Sequence, residues 1–260
     1  MRILILLLTL LSFASFAQRK KKNKEEPAPI AEAAAPLAVK NATPADTAKA
    51  LTTSQILTQH FARKYAMAVQ FSDYDVAKDA LYDVIAENPE NDSLIFDLAY
   101  YYFQSQKYPP AVLIAESMLK RNPKNLAVLE ISALGLEQMG ATEKSLERFE
   151  SLYLIENNPA RLYKMAFLQY TLKRYAESNS SIDILLKDPK SDAIKTLFPD
   201  TKGKDKEFPM RIALLNLKGM LARDEGKKEE ARKFFNQALA AAPDFAPAKK
   251  NLDDLAKPKP

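Results

Sequence analysis

The chain has 260 residues, a formal net charge of +5 and no cysteine. Without cysteine, this sequence excludes disulfides, thiolate metal sites, cysteine nucleophiles and a lipid-modified cysteine. Its single histidine excludes a metal site built from several histidines, and its five glycines leave little material for phosphate-binding loops.

Charge is distributed unevenly along the chain. Residues 51–186 contain 17 acidic and 13 basic side chains, whereas residues 187–260 contain 17 basic and 12 acidic ones. In this C-terminal part the basic residues alternate with acidic ones, which is typical of a solvated surface, whereas nucleic-acid binders gather lysine and arginine on one face. We therefore predict no nucleic-acid partner.

The first 17 residues have the pattern of a signal peptide. A short basic start at Met1 and Arg2 precedes an apolar run over residues 3–11, and Ser15 and Ala17 supply the small residues of a cleavage site before Gln18. The apolar run is shorter than the roughly 20 residues of a spanning helix. We expect an exported protein, soluble in the periplasm or secreted, with an uncleaved signal anchor as the alternative.

Residues 18–50 are rich in lysine, alanine, proline and glutamate. Ile30, Leu37 and Val39 are almost the only large apolar side chains there. Such a segment buries too little apolar surface to offset its conformational entropy. The sequence therefore predicts a disordered tether between the signal peptide and a helical domain over residues 51–256.

The helical domain is predicted to begin with a helix that is capped by Ser54 and runs through Val69. From there a unit of about 34 residues recurs, with small residues at its positions 8 and 20 and apolar residues at positions 4, 11, 24 and 27. Gly140 is placed to end a helix in the left-handed conformation, and Asn158 followed by Pro159 to begin the next one. The units cover about 58–91, 92–125, 126–158, 159–189 and 212–245.

Small residues at fixed positions predict where two helices approach closely, and the apolar positions predict one buried stripe per helix. The residues expected to pack within and between the repeats are Ala77, Ala99, Ala111, Ala133, Ala166, Gly219, Ala231 and Ala238.

An insertion over residues 190–209 separates the fourth unit from the last. We expect a brief helix over residues 192–198 and no paired strands in the middle of the chain. The insertion is either a functional loop on one face of the array or a tolerated spacer. Residues 246–256 carry Leu252 and Leu255 among charged residues, which predicts a short capping helix that covers the final hydrophobic edge.

This recurring pattern resembles the tetratricopeptide repeat (TPR), an antiparallel helix pair of about 34 residues. The resemblance covers residues 58–245. It implies an all-α, right-handed superhelical solenoid of about five antiparallel helix pairs with a short C-terminal capping helix. The sequence departs from the family pattern in that position 4 never carries tryptophan, and Tyr65 and Ser145 replace small residues.

No catalytic motif is present in the sequence, which lacks G-x-G-x-x-G, Walker, H-E-x-x-H and nucleophile-elbow patterns. His60 has no acid or nucleophile at helical spacing except Lys64, so we expect an exposed or capping residue and not a general base. The carboxylate pairs Asp79 with Asp83 and Glu143 with Glu147 lie beside lysines and are interpreted as surface charge. We predict no enzyme activity, no cofactor and no metal.

In the family that the chain resembles, positions 2, 5, 9 and 12 of each first helix line a concave groove. On the second and fourth repeats this resemblance implies a groove that is rich in aromatic side chains. The candidate partner-binding residues are Phe96, Tyr100, Phe103, Tyr163, Phe167 and Tyr170. Two interpretations stay open for them, since these side chains either bind a partner or pack against the neighbouring helix.

The predicted function is a protein–protein interaction scaffold of the bacterial cell envelope that binds a peptide or helix of another protein. Ala66 stands where the family's carboxylate clamp has asparagine, so binding of a C-terminal tail is not expected. The alternative is an accessory protein that docks on anionic lipid or cell-wall polymer through the basic tether and a C-terminal cluster over residues 202–206.

Overall fold

A computed structural model describes residues 51–257 of the chain. The predicted signal peptide (1–17) and tether (18–50) lie outside the described residues. The described part divides into two compact units, residues 51–131 and residues 132–257.

The described residues form 12 helices and one two-stranded sheet, and the repeat helices follow one another as antiparallel pairs. Residues 51–131 contain α1 (Thr53–Gln70), α2 (Tyr74–Glu87), α3 (Asp92–Gln104) and α4 (Tyr108–Arg121). The division between the units falls within α5 (Leu126–Gln138). Residues 132–257 contain α6 (Thr142–Glu156), α7 (Pro159–Thr171), α8 (Tyr175–Lys187), α9 (Lys190–Ala193), β1 (Lys195–Pro199), β2 (Asp205–Pro209), α10 (Met210–Asp224), α11 (Lys228–Ala241) and α12 (Ala246–Ala256). The predicted all-α repeat fold is confirmed.

The first helix begins earlier than predicted. Thr52, not Ser54, is the N-cap, because the Thr52 side chain accepts the N–H of Gln55 while the Gln55 side chain accepts the N–H of Thr52. This reciprocal pair is a capping box, which satisfies two otherwise unpaired backbone donors. Ser54 instead donates from Oγ to Glu87 Oε2 at 2.6 Å and so links α1 to the end of α2.

The turn inside each repeat contains one residue in the left-handed conformation, always at position 15 of the unit. These residues are Ser72 (φ 58°), Gln106 (φ 58°), Gly140 (φ 75°), Lys173 (φ 60°) and Gly226 (φ 83°). In all five turns the N–H of the next residue donates to the carbonyl five residues earlier, at 2.8–2.9 Å. This is the hydrogen bond of the Schellman motif, which ends the first helix of each pair.

The insertion forms a β-hairpin where a helix was expected over residues 192–198, so that prediction and the expectation of no strands are wrong for this segment. Thr196 pairs with Phe208 and donates from Oγ1 to its carbonyl at 3.1 Å. Burial alternates along β1, with Thr196 and Phe198 buried and their neighbours not, which is the period of a strand and not of a helix. The tip turns at Gly203, where φ is +76°.

The hairpin supports the last repeat. The rings of Phe198 and Phe208 lie edge-on to Phe245, with centroids at 5.2 and 4.9 Å. Phe245 is fully buried and immediately precedes α12, the predicted C-terminal helix, which the structure places at Ala246–Ala256. These contacts give the insertion a structural role, which was neither of the two interpretations, functional loop or tolerated spacer, that the sequence left open.

Small residues lie at the closest approaches between helices. The structure buries all eight that were predicted to pack: Ala77, Ala99, Ala111, Ala133, Ala166, Gly219, Ala231 and Ala238. In the third repeat Ser145 replaces a small residue of the family pattern, and its Oγ donates a hydrogen bond to the carbonyl of Ala133 at 2.8 Å. In the fourth repeat Ser178 Oγ likewise donates a hydrogen bond to the carbonyl of Ala166 at 2.7 Å.

Candidate binding site on the first two repeats

A cavity of about 290 Å³ lies where α1, α2 and α3 meet. Its lining is mainly apolar, includes four tyrosines, and contains one carboxylate and one ammonium group. The tyrosines and the two charged side chains are Tyr65, Tyr74, Lys78, Asp97, Tyr100 and Tyr101.

The repeat pattern explains why these side chains meet. Tyr65 occupies position 8 of the first repeat, where the other repeats have a small residue that lets the paired helices approach. Ala77, at position 20 of the same repeat, also lines the cavity. Asp97 and Tyr101 are four residues apart and therefore share one face of α3. The departure from the family pattern at Tyr65 thus coincides with a cavity.

Asp97 is the electrostatically unusual group of this cavity. Burial raises the pKa of its carboxyl above the ordinary value. Within the described part of the chain, no side chain forms a hydrogen bond or an ion pair with this carboxylate. Burial, followed by the charge of Asp97, also raises the pKa of Tyr65 to about 12. The cavity therefore contains a carboxylate that lacks a counter-ion.

Lys78, by contrast, already has two partners. Its Nζ lies 3.3 Å from Asp79 and 3.6 Å from Asp75. The hydrogen bond to Asp79 is the main reason why the pKa of Lys78 is raised. The positive charge at the rim of the cavity is thus compensated, whereas the negative charge of Asp97 is not.

The three predicted groove residues of the second repeat are half-exposed on α3. Phe96 and Tyr100 stack, with ring centroids 6.2 Å apart and an angle of 17° between the planes. Phe103 lies edge-on to Tyr108 at 5.9 Å. Of the three, Tyr100 lines the cavity. These rings form an accessible aromatic surface on the second repeat.

The three predicted groove residues of the fourth repeat are buried, so the expectation that they line an open groove is corrected. Tyr163, Phe167 and Tyr170 are at most 9% exposed. Tyr163 packs edge-on to Phe167 at 5.9 Å. Tyr170 donates from its hydroxyl to Asp224 Oδ2 at 2.6 Å and accepts from Arg223 Nη2 at 3.3 Å. In this repeat the packing interpretation, which the sequence left open, is the one that the structure favours.

Exposed apolar side chains are concentrated on residues 51–82, which include α1 and most of α2. Thirteen large hydrophobic residues are exposed in the described chain, and eight of them lie between residues 51 and 82. They are Leu51, Ile56, Leu57, Met67, Phe71, Tyr74, Val76 and Tyr82. Contiguous exposed apolar surface is typical of interaction sites.

Other candidate groups from the sequence form no site among the described residues. His60 lies edge-on to Phe61 at 5.4 Å. Asp83 pairs with Lys64 at 3.3 Å, and residues 51–257 contain no cluster of three or more potential metal ligands. In the basic cluster over residues 202–206, Lys206 is paired with Asp244 at 2.5 Å.

None of the helices between residues 51 and 257 is long and apolar enough to cross a membrane.

Sequence reasoning missed Asp97, Tyr65 and Tyr101 as cavity residues. Asp97 falls at position 6 of its repeat, outside the groove positions 2, 5, 9 and 12. The sequence nonetheless contained an indication of the cavity, because Tyr65 is a large residue at a position where the paired helices approach closely.

Comparisons with known proteins agree with this architecture. No family model matches the chain, and no curated protein matches it in sequence. Among solved structures, a tetratricopeptide repeat protein from Parabacteroides merdae ATCC 43184 superposes with a TM-score of 0.58 at 19% identity, over 77% of this chain and 72% of that one.

Two further structures are similar. MamA protein superposes with a TM-score of 0.53 at 12% identity, over 78% of this chain and 98% of that chain. A chain of the structure of Naa15/Naa10 bound to HypK-THB gives a TM-score of 0.55 at 16% identity, over 78% of this chain and 29% of that chain. At these identities the likeness shows the fold, and the fold is that of the tetratricopeptide repeat proteins.

Proposed function

We propose that this protein is a non-catalytic scaffold of the bacterial cell envelope that binds a segment of another protein on the surface of its first two repeats. The surface comprises the exposed apolar side chains of α1 and α2 and the half-exposed rings of Phe96, Tyr100 and Phe103 on α3. Export rests on the sequence pattern of residues 1–17.

The observation that supports this proposal most strongly is the concentration of exposed apolar side chains on residues 51–82. Ile56, Met67 and Phe71 are 53%, 59% and 72% exposed. Each large apolar side chain left in water forgoes about 1.5–3 kcal/mol of burial energy. A partner that covers several of them would recover this energy, and buried aromatic residues dominate such interfaces.

The fold is consistent with this function. One structurally similar chain belongs to the structure of Naa15/Naa10 bound to HypK-THB, a complex between proteins. We assign no reaction step to the cavity, because its charged groups are one carboxylate and one lysine that is already paired with Asp75 and Asp79.

A capture experiment tests the proposal. The tagged protein is used to recover partners from an envelope extract, and a Phe96→Ala/Phe103→Ala variant is compared with an Ile184→Ala variant. Ile184 is 55% exposed on α8 and lies outside the proposed surface, so it is a matched control. We expect loss of the partner only in the first variant. Equal recovery by both variants, with helix content unchanged by circular dichroism, would contradict the proposal.

A further inference from the structure

We propose that the cavity between α1, α2 and α3 binds an organic cation of the size of a lysine or arginine side chain, with Asp97 as its counter-ion and tyrosine rings as its walls. The ligand class goes beyond the proposed scaffold function. The inference relies on that function only for the kind of molecule that carries the cation, a segment of a partner protein.

Asp97 lies in the cavity without a partner among the described residues. Its carboxylate is half-buried and, among residues 51–257, has neither a hydrogen-bond partner nor an ion-pair partner. A partly desolvated charge is stabilised by an opposite charge that arrives with its own hydrogen-bond donors. The raised pKa of Asp97 agrees with the lack of a partner, because burial disfavours the charged form of the carboxyl. An ammonium or guanidinium group that enters the cavity would supply both the positive charge and the hydrogen-bond donors that Asp97 lacks.

The charges around the cavity disfavour an anionic ligand. Lys78 is the cation in the lining, and its Nζ is within 3.6 Å of both Asp75 and Asp79. An anion would have to displace one of these carboxylates and would also lie near Asp97. Because the three carboxylates outnumber this one ammonium group, the local field favours a cation.

The tyrosine rings of the cavity wall are chemically suited to a cation. Tyr65, Tyr100 and Tyr101 line the cavity, and the negative face of an aromatic ring attracts a cation. The methylene stem of a lysine or arginine side chain would contact the same rings. A set of aromatic side chains around one carboxylate is therefore complementary to a group that is both apolar and positively charged.

The size of the cavity suits a small group. Sites for drug-sized ligands have volumes of roughly 300–1,000 Å³, so a cavity of about 290 Å³ lies just below this range. It fits one side chain and not a whole folded element. We infer that the cavity anchors a single residue, while the exposed apolar surface of the first repeat contacts the rest of the partner.

The test uses purified protein and small probes, so that it does not depend on the identity of the partner. Nα-acetyl-lysine amide and Nα-acetyl-arginine amide are titrated into protein with isotope-labelled tyrosines, and binding is followed by NMR. The neutral control is Nα,Nε-diacetyl-lysine amide. We expect at least one cation to bind and to shift the signals of the cavity tyrosines, and we expect the neutral analogue to bind at least tenfold more weakly.

Two isosteric variants complete the test. Asp97→Asn should weaken binding of the cation about tenfold or more. Asp253→Asn, at an exposed position of α12, should leave the binding unchanged. Equal binding of the neutral analogue, equal binding by Asp97→Asn, or no binding of either cation would overturn the inference. If the cations fail to bind but Phe96→Ala/Phe103→Ala still abolishes partner capture, only the cavity assignment is lost and the scaffold proposal remains.

Tyr101 provides an independent readout. Tyr101→Phe retains the ring and should retain binding of the cation. Tyr101→Leu removes the ring and should weaken binding several-fold, while thermal unfolding shows whether the fold persists. Equal affinities of the Phe and Leu variants would contradict the role of the aromatic walls.

Discussion

The ring of Phe235 occupies the space that a side chain at Gly219 would need. A Cβ atom at Gly219 would lie 2.5 Å from Cε1 and 2.6 Å from Cδ1 of Phe235. Gly219 is at position 8 of the last repeat and Phe235 at position 24, so this contact joins the two helices of one pair. The absence of a side chain at Gly219 lets α10 and α11 approach closely, and Phe235 is fully buried as a result.

The first prediction follows from this contact. Gly219→Ala should gain about 1 kcal/mol of helix propensity but lose about 2–3 kcal/mol to the forced movement of Phe235. We expect a net loss of about 1–2 kcal/mol in urea unfolding. Adding Phe235→Leu should make the alanine substitution less costly than it is in the wild-type protein. A Gly219→Ala variant that is more stable than wild type would contradict the packing.

The second prediction concerns position 15 of the repeats. Lys173 adopts φ of 60°, where a residue with a side chain is strained by about 1 kcal/mol, whereas Gly226 at the equivalent position avoids this cost. We expect Lys173→Gly to preserve or raise the free energy of unfolding, by up to about 1 kcal/mol, and Gly226→Ala to lower it by about 1 kcal/mol. The same sign for both changes would contradict the shared left-handed conformation.

The third prediction concerns the serine at position 20. Ser145 Oγ donates to the carbonyl of Ala133 inside the helix pair, and a buried hydrogen bond of this kind contributes about 1 kcal/mol. Ser145→Ala should therefore lower the free energy of unfolding by about 0.5–1 kcal/mol. Ser180→Ala, on the exposed face of α8, is the control and should change it by less than about 0.5 kcal/mol. Equal effects would show that the bond to Ala133 carries no stability.

The fourth prediction compares two buried tyrosines on α7. The hydroxyl of Tyr163 is buried and has no hydrogen-bond partner among the described residues, whereas that of Tyr170 donates to Asp224. Tyr163→Phe removes an unsatisfied polar group and should leave stability unchanged or raise it by up to about 1 kcal/mol. Tyr170→Phe breaks a bond to a charged acceptor and should cost about 1–2 kcal/mol. Thermal unfolding of the two variants should thus move in different directions.

The fifth prediction concerns pH and Asp97. Burial places the pKa of this carboxyl in the folded protein above that in the unfolded chain, which is about 3.9. Between these two pKa values the folded state binds more protons than the unfolded state. The contribution of Asp97 to the free energy of unfolding therefore falls as pH rises through this interval. Asp97→Asn removes that loss.

The variant should therefore match or exceed wild type in the free energy of unfolding at neutral pH, and its stability should vary less with pH above about 4. Asp253→Asn should reproduce the wild-type profile. Urea unfolding over a pH series measures all three proteins. If Asp97→Asn were less stable than wild type at neutral pH, the carboxylate would have a stabilising partner, which would contradict the proposal that it awaits a cation.

The sequence predicted the repeats well because their packing depends on residues that recur at a fixed spacing. Ala111 and Ala231 occupy equivalent positions of different units and are both fully buried. Gly140 was recognised as a left-handed residue because glycine marks such turns. Ser72, Gln106 and Lys173 adopt the same conformation without glycine, so only the repeat register, and not residue type, would have identified them.

The insertion and the groove were harder to predict for different reasons. The hairpin depends on the contacts of Phe198 and Phe208 with Phe245, which is distant from Phe198 in sequence, so local periodicity did not reveal it. The aromatic residues of α7 match the family's groove positions. Nearby groups such as Asp224 and Arg223 nevertheless engage Tyr170, and only the three-dimensional arrangement shows that this helix is buried.

We propose that the aromatic and apolar surface of the first two repeats contacts a partner protein. The most direct measurement places a photo-cross-linking phenylalanine analogue at Phe103, and separately at Ile184, in cells that express the full chain. Cross-linked products are then identified by mass spectrometry. We expect one dominant protein product that forms from position 103 and is absent from position 184. The same products from both positions, or no product from position 103, would contradict it.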